Sequence, residues 1–415
     1  MAVKIINLYN EIPPYDAFPR NFWIAPGWQS PTGQWLGVWQ NNFLYFLGKE
    51  ILRQTKEFNY EIWQPDLRAD KIYSYTLDNG ITHRSFPAIY KKKIYGLKFI
   101  KKLYSGPILE ELAAKAGKEN IIINLNGSLS ELNIDILRKI KHMPIVFSFH
   151  GEINLPSVRM FVLSRNIFSK LNLISEHICV KHFIKQIQCI THYSDKHINY
   201  LKRIYKGRIE KITMGCDFSF FKKIDKSNAR NKMNLPGNKR IIISVSNLNE
   251  RKQIDKFIET LIRLKERYDF LYIVVGCGNE EYEKYLKRIS EPLLNKKMIK
   301  FVGYQRGEDL LNYLNSADLF AATATSEGGP VSVMEAFACE VPVFSTKTGN
   351  TAELMEQQEA GLLVGNRNYK EWGEELERIF TTSQLPKVLN REIAKKYYDW
   401  ENIAKKFVAI YRDLL

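Results

Sequence analysis

The stretch SEGGPVSVMEAFACEVPVFST, residues 326–346, decides the fold because it joins a predicted buried helix to a predicted strand. Read as a helix, residues 331–339 are apolar or small on every side except at Ser332 and Glu335. A helix that is apolar all round is typically buried. A buried carboxylate without a partner is costly or gives up its charge, so Glu335 needs a partner. A second acid, Glu327, stands just ahead of the helix.

The residues between the two acids favour a ligand that approaches the backbone. Gly328 and Gly329 remove side chains from the loop, and Pro330 suits the first helical position. Because the apolar run 318–326 predicts a buried strand just before them, the helix start lies at the carboxyl edge of a parallel sheet, where phosphates bind. The two acids suit hydroxyl groups instead. Phosphate with many hydroxyls describes a sugar nucleotide; a solvated loop acid and an internally paired helix acid remain the alternative.

Strand and helix signals alternate along the whole chain, which predicts an α/β fold with parallel sheets. The strands are predicted at 3–10, 59–66, 120–126, 144–150, 189–194, 239–247, 270–278, 298–304, 318–326, 341–346 and 360–365. Helices are predicted at 41–55, 253–268, 307–317 and in the amphipathic stretch 391–415, and an Asn-Gly turn signal lies within 78–86. The charged, turn-rich stretch 222–239 is typical of an inter-domain linker, so we expect two parallel-sheet halves.

Composition bounds the class of protein. The chain has 415 residues, 45% hydrophobic and 26% charged, which favours two or three globular domains. No apolar run approaches the ~20 residues that cross a bilayer, and the N-terminus lacks signal-peptide features, so we expect a cytoplasmic protein. The net charge of +16 favours anionic partners. The scattered cysteines favour reduced thiols over disulfides or zinc: Cys179, Cys189, Cys216, Cys277 and Cys339.

The motifs together resemble the retaining GT-B glycosyltransferases of the family 4 type. The opening stretch carries an E-x7-E arrangement like that of their donor site, and SVSNLNERKQID (244–255) stands where they have a Gly-Arg-Leu element followed by lysine. IVVGCGN (273–279) matches their glycine-ended strand, and FSFHGE (147–152) holds the place of a first-domain histidine. GCDFSFF (215–221) is similar to their crossover between domains. The match is specific in the second half and weak before about residue 121.

The resemblance implies a GT-B fold with two Rossmann-like domains facing a cleft. Residues 1–215 would form the acceptor domain and 216–397 the donor domain, with 398–415 as a helix that returns to the first. It also implies the site residues. The catalytic set is His150, Glu327 and Lys252, and the donor-binding set is Asn247, Arg251, Lys252, Gly276, Gly328, Gly329, Pro330, Val331, Glu335 and Glu353.

Each implied role has an ordinary alternative. Lys252 would hold the donor diphosphate, yet a lysine beside other charges is usually solvated. Glu335 would accept ribose hydroxyls, and Glu327 would contact the transferred sugar. His150 would face the reacting carbon, although it equally suits a place in the core. Gly276 could simply end a strand, because a lone Gly-x-Gly is weak evidence.

Several positions depart from the family pattern. The expected arginine is Asn247, the flanking glycines are Ser246 and Gln253, and Glu340 replaces a glycine. One diphosphate cation is therefore missing, and Arg251 is the candidate to replace it. No Asp-x-Asp metal motif is found at this site, so we expect no metal and no cofactor other than the nucleotide-sugar co-substrate. The family resemblance also implies retention of the anomeric configuration.

The acceptor is predicted from the first domain. Residues 89–106 interleave lysines with aromatic and aliphatic residues, as does a helix that lies on an anionic membrane; a solvated lysine face over a packed core is the alternative. Gly33 and Trp35, in a loop rich in Trp and Gly, are candidate acceptor-binding residues. We therefore expect a glycan or lipid-linked acceptor and a cytoplasmic enzyme at the inner face of the membrane.

Three other functions remain open at this stage. A GT-B nucleotide-sugar epimerase or a disaccharide synthase would share the same donor residues. A nucleic-acid-binding or base-modifying protein would suit the net charge, but no recognition helix, RNP-like strand or zinc finger is found. A catalytically inactive sugar-binding protein would suit the loss of arginine at Asn247.

Overall fold

The computed structural model describes residues 2–9, 43–95, 98–127, 131–149, 181–193 and 198–415. The predictions at Gly33, Trp35 and His150 lie outside these ranges. The chain divides into two compact units, Met1–Ile212 with Ile403–Leu415, and Thr213–Asn402. Both borders lie a few residues from the boundaries expected from the sequence.

The first unit is built on an eight-stranded sheet in the order β10-β9-β8-β7-β1-β2-β4-β3. Its strands are β1 Val3–Tyr9, β2 Phe58–Asp66, β3 Tyr73–Thr76, β4 Thr82–Pro87, β7 Ile121–Asn126, β8 Ile145–Ser148, β9 Cys189–His192 and β10 Arg208–Lys211. Every pairing is parallel except that of β3 with β4. The predicted Asn-Gly turn joins those two strands, with Gly80 at a φ of 87°. The helices are α1 Phe43–Gln54, α2 Gly106–Lys115, α3 Glu131–Lys139 and α4 Ile198–Ile204.

Residues 89–95 and 98–104 form two paired antiparallel strands, called the hairpin below, so the interpretation of this stretch as a membrane-surface helix is wrong. Strands β5 Ile89–Tyr95 and β6 Lys98–Tyr104 pair antiparallel, with Ile89 opposite Tyr104. The stretch is rich in isoleucine and tyrosine, which favour strands. Runs of one to three lysines alternate with these residues, and this composition concealed the strand signal.

The second unit contains a six-stranded parallel sheet in the order β13-β12-β11-β14-β15-β16. Its strands are β11 Arg240–Val245, β12 Phe270–Val275, β13 Ile299–Gly303, β14 Leu319–Ala322, β15 Val343–Thr346 and β16 Leu362–Val364. Its helices include α5 Lys226–Lys232, α6 Ile254–Leu264, α7 Glu280–Ile289, α8 Glu291–Leu294, α9 Gly307–Ser316, α10 Val331–Ala338, α11 Gly349–Gln357, α12 Tyr369–Thr382 and α13 Arg391–Tyr398. Strand β12 is buried at every position, as expected where helices cover both faces of a parallel sheet.

Helix α10 begins at Val331 rather than at Pro330. Pro330 is the N-cap residue, with φ −71° and ψ 102°, so its predicted place at the first helical position is wrong by one residue. Such a shift is within the ordinary uncertainty of a helix end. Glu340, which replaces a family glycine, has a φ of 55° after the helix. That left-handed conformation explains why glycine suits the position.

The final helix, α14 Trp400–Asp413, contributes to the first unit from Ile403 onward. There the amide of Asn124 donates hydrogen bonds to the Tyr411 hydroxyl at 3.2 Å and to Asn7 Oδ1 at 3.0 Å. These buried polar contacts fix the last turns of the chain on the carboxyl half of β1 and β7. None of the helices in the described residues is both long enough and apolar enough to span a bilayer.

Candidate functional site

The candidate site lies at the carboxyl edge of the second sheet. The loop after β11 and the loop after β14 meet there, because the Thr323 hydroxyl donates to the Lys252 carbonyl at 2.9 Å and the Thr325 amide donates to the Arg251 carbonyl at 2.8 Å. A narrow crevice opens at this edge. The residues that line it include Ser246, Lys252, Thr323, Glu327, Ser332 and Thr348.

The predicted diphosphate-binding lysine and the predicted sugar-binding acid form an ion pair. Lys252 Nζ contacts Glu327 Oε1, and Arg251 Nη1 lies 3.2 Å from the same oxygen. The side chains of Lys252 and Glu327 are only 16% and 13% exposed, whereas that of Arg251 is about half exposed. Two cations and one carboxylate therefore lie together at the mouth of the crevice. The cluster has a net positive charge, which favours an anionic ligand.

Gln253, directly after Lys252, occupies a conformation that normally favours glycine. Its φ is 52° and its ψ is 33°. The buried side chain compensates through three hydrogen bonds: it donates to Thr323 O at 2.7 Å and Asn366 Oδ1 at 3.2 Å, and it accepts from the Tyr369 hydroxyl at 2.9 Å. Gln253 stands where the family has a glycine, and its hydrogen bonds hold the backbone next to Lys252 in place.

Gly276 and Gly278 allow two loops to pack backbone against backbone. A Cβ at Gly276, whose φ is 136°, would lie 1.8 Å from the Ser246 carbonyl oxygen, and a Cβ at Gly278 would lie 2.0 Å from that of Leu248. The predicted donor residue Gly276 thus has a packing role at the edge of the site. Asn247, between the two contact points, is exposed.

Glu335 lies further along α10 and is not among the residues that line the crevice. It is half-buried, and this burial raises the pKa of its carboxyl to about 8. The thiols of Cys216 and Cys339 are near Glu335. Burial, and to a smaller extent the Glu335 charge, raises the pKa of Cys339 to about 12 and the pKa of Cys216 well above its usual range. We find no hydrogen bond or ion pair to the Glu335 carboxyl within the described parts of the chain.

The glycine-rich loop before α10 packs against the start of α11. The backbone amide of Asn350 donates to the Gly328 carbonyl at 3.0 Å. A Cβ at Gly349, whose φ is 74°, would lie 3.0 Å from the same oxygen. Gly329, Pro330 and Val331 continue this loop into α10. Glu353, one turn into α11, lies near Tyr398. Burial raises the pKa of the Tyr398 phenol, and the nearby charge of Glu353 raises it further.

Four buried side-chain oxygens near this edge were not predicted from the sequence. Each lacks a hydrogen-bond partner in the part of the chain that the structure describes: Ser246 Oγ, Asn249 Oδ1, Asn350 Oδ1 and Thr351 Oγ1. Buried polar atoms are rarely left unpaired, so these oxygens are further candidates to contact a ligand. The sequence signal for this role is position alone: Ser246 and Asn249 follow β11, and Asn350 and Thr351 lie at the start of α11.

No cluster of three or more His, Cys, Asp or Glu side chains able to hold a metal occurs among the described residues. Independence of metals stays a prediction.

Two Rossmann-like units in one chain are typical of the GT-B fold. Superposition on sucrose-phosphate synthase from Thermosynechococcus elongatus gives a TM-score of 0.72 with 19% sequence identity and covers 99% of each chain. Superposition on Anabaena Alr3699/HepE in complex with UDP-glucose gives a TM-score of 0.64 with 18% identity, again over 99% of each chain. The predicted fold class is confirmed.

Residues 225–396, which lie within the second unit, match the family model of Glycosyl transferases group 1. The predicted resemblance is thereby confirmed. The D-inositol 3-phosphate glycosyltransferase of Corynebacterium urealyticum is 26% identical over 255 residues, which are 58% of this chain and 60% of that protein. The chain spans between 54% and 60% of the length of this relative and of two others, the uncharacterized glycosyltransferase MJ1607 of Methanocaldococcus jannaschii and the putative colanic acid biosynthesis glycosyltransferase WcaL of Escherichia coli.

Proposed function

We propose that the protein is a retaining, metal-independent glycosyltransferase that moves a sugar from a UDP- or GDP-linked donor to a glycan or lipid-linked acceptor. The observation that carries this proposal is the cluster of Lys252, Arg251 and Glu327 beside the start of α10. The group 1 domain and its relatives support the same class of reaction. UDP is the first nucleotide to test, because the structure of HepE contains UDP-glucose.

In the proposed reaction, the bond between the anomeric carbon and the phosphate oxygen breaks, and negative charge grows on the leaving diphosphate. Lys252, with Arg251 beside it, is placed to stabilise that charge without reorganisation. The acceptor hydroxyl forms the new bond on the side that the diphosphate leaves. Its proton passes to the leaving phosphate oxygen, so the configuration of the anomeric carbon is retained.

The ion pair has a second consequence for donor binding. A diphosphate that approaches Lys252 competes with Glu327 for the same ammonium group. Glu327 then becomes free to accept hydrogen bonds from the hydroxyls of the transferred sugar, as the family resemblance implies. Donor binding and the placement of Glu327 are therefore coupled in this proposal.

Glu335 is proposed to bind the two ribose hydroxyls. Its carboxyl has no partner in the described residues, and its pKa of about 8 leaves it largely protonated at neutral pH. Two hydroxyl donors would favour the ionised form. Donor affinity should therefore rise with pH up to about 8.

Turnover of UDP-glucose and GDP-mannose tests the function. Release of UDP or GDP and the glycosylated product would be followed by mass spectrometry, with phosphatidylcholine vesicles containing a polyprenyl phosphate as acceptor, and with or without EDTA. We expect Lys252→Met to lower the rate about 10²–10³-fold, while Lys232→Met, at an exposed lysine of the same unit, leaves it unchanged. EDTA should have no effect.

Two outcomes would oppose the proposal. Equal rates for Lys252→Met and Lys232→Met would remove Lys252 from the reaction. A new nucleotide sugar formed from the donor alone, with no acceptor product, would indicate an epimerase. The NMR coupling constant of the anomeric proton in the product would decide between retention and inversion.

A membrane-borne acceptor and a place at the inner face of the membrane are also proposed. Ile89 and Tyr90, at the start of the hairpin, are 55% and 49% exposed, and the next residues, Lys91 and Lys92, are exposed lysines. Apolar side chains next to lysines favour an anionic membrane surface. Sedimentation with vesicles that contain or lack phosphatidylglycerol measures this affinity.

A further inference from the structure

The first unit contains a second cavity, of about 350 Å³, between the hairpin and α3. Lys91, Lys102 and Tyr104 line it from the hairpin, and Asp135, Arg138 and Lys139 line it from α3. Its volume is within the range of about 300–1,000 Å³ typical of small-molecule pockets, but it is a groove open to solvent, because Lys91, Arg138 and Lys139 are exposed. None of the donor residues discussed above belongs to these elements.

The hairpin places two lysines directly against each other. Lys91 pairs with Lys102 in the antiparallel register, so both side chains point to the same face. Like charges in this position destabilise a sheet. Lys102 is neutralised by Asp135, with Nζ 2.7 Å from Oδ2, whereas Lys91 Nζ lies 3.2 Å from the centroid of the Tyr104 ring.

The cavity carries more positive charge than its acid can balance. Among the described residues that line the cavity, four cations stand with one carboxylate, that of Asp135. That carboxylate already binds Lys102, and its other oxygen lies 3.7 Å from Arg138 Nη1. No carboxylate in the described residues pairs with Lys91 or Lys139. The imbalance favours an anion with several acceptor oxygens.

The remaining lining is apolar. The Tyr104 ring and the half-buried side chain of Leu109 lie beside the cations, so a bound molecule contacts carbon as well as charge. An inorganic ion would leave this apolar surface uncovered. An organic phosphate covers both parts of the cavity.

We propose that this cavity binds a phosphate ester, with the phosphate held by Lys91, Arg138 and Lys139 and the organic part against Tyr104. The phosphate comes either from a lipid headgroup or from a soluble phosphorylated metabolite. The site uses none of the donor residues of the second unit, so the loss of donor binding and the loss of phosphate binding here are separate results.

Titration of the full chain with two probes separates these sources. The probes are glucose 6-phosphate, and vesicles of phosphatidylcholine with or without phosphatidic acid. The pocket variant is Lys91→Gln/Lys139→Gln. The control, Lys118→Gln/Lys141→Gln, removes the same charge from exposed lysines of the same unit. We expect the pocket variant to bind the successful probe about tenfold more weakly or worse, and the control to stay within about twofold of the parent.

A third variant gives a change of opposite sign. Asp135→Asn removes the acid found among the described lining residues, which lies against Lys102 and Arg138, and should tighten binding of the same probe, whereas damage to the fold would weaken it. Saturable binding of either probe with this pattern supports the site and identifies the source. Equal loss in the pocket and control variants, weaker binding by Asp135→Asn, or no binding of either probe would overturn it.

Discussion

Replacement of Glu335 by glutamine should make the protein more stable at high pH. Burial raises the pKa of this carboxyl from 4.5 to about 8 in the folded chain. The folded state therefore holds the proton more tightly than the unfolded state. The carboxyl is neutral in both states below pH 4.5, and stability is lost as the pH rises from 4.5 to about 8. Glutamine keeps the shape but does not ionise.

The size of the effect follows from the shift in pKa. One unit corresponds to about 1.4 kcal/mol, so the full shift sets an upper bound on the order of 5 kcal/mol. Because Glu335 is half-buried, solvent screens part of this cost, and we expect about 2–4 kcal/mol. The free energy of unfolding of Glu335→Gln, minus that of the parent, should increase by this amount between pH 5 and pH 9.

Urea unfolding measured by tryptophan fluorescence at pH 5, 6, 7, 8 and 9 provides the two stability curves. Glu374→Gln, which removes an exposed carboxyl on α12, corrects for the loss of one charge. A difference curve for Glu335→Gln that is flat from pH 5 to pH 9, or that falls, would refute the assignment of a buried, unpaired carboxyl at this position.

Three further predictions concern other parts of the fold. Gln253→Gly relieves a left-handed conformation but removes three hydrogen bonds, so thermal unfolding should show a net loss of about 1–3 kcal/mol; a gain in stability would contradict the anchoring role. Gly276→Ala should cost about 3 kcal/mol or more in the free energy of unfolding, because its Cβ would overlap the carbonyl of Ser246. Gly237→Ala, whose Cβ meets nothing within 4 Å, should change it by less than about 0.5 kcal/mol, and equal losses in the two alanine variants would refute the close approach. Burial lowers the pKa of His83 to about 4, so stability that is full above pH 6.5 should be lost progressively as the pH falls towards 4; denaturation midpoints that do not differ between His83→Gln and the parent over that range would contradict this.

Most of the sheet framework was predictable because strands of a parallel sheet are continuous apolar runs. The run 270–278, for example, contains β12, which is buried throughout. The hairpin at 89–104 was missed because its lysines drew attention to charge rather than to the isoleucines and tyrosines between them. A basic composition indicates a surface, but not whether a helix or a hairpin forms it.

The site was predictable in its parts and not in its contacts. Lys252 and Glu327 were both identified from motifs, but they are 75 residues apart in the chain, so their ion pair required the structure. The pattern of Glu335 in an apolar helix indicated full burial, whereas the residue is half-buried. The compensation of a left-handed Gln253 by distant hydrogen-bond partners left no local signal in the sequence.

Calorimetric titration of UDP into the parent, Lys252→Met and Glu327→Gln at pH 8 tests the central claim most directly. If a nucleoside diphosphate binds at the Lys252–Glu327 pair, Lys252→Met should weaken UDP binding about tenfold or more, and Glu327→Gln, which frees the lysine, should bind UDP at least as tightly as the parent. Equal affinity in the parent and Lys252→Met, or no binding of UDP, GDP or ADP to the parent, would contradict the account.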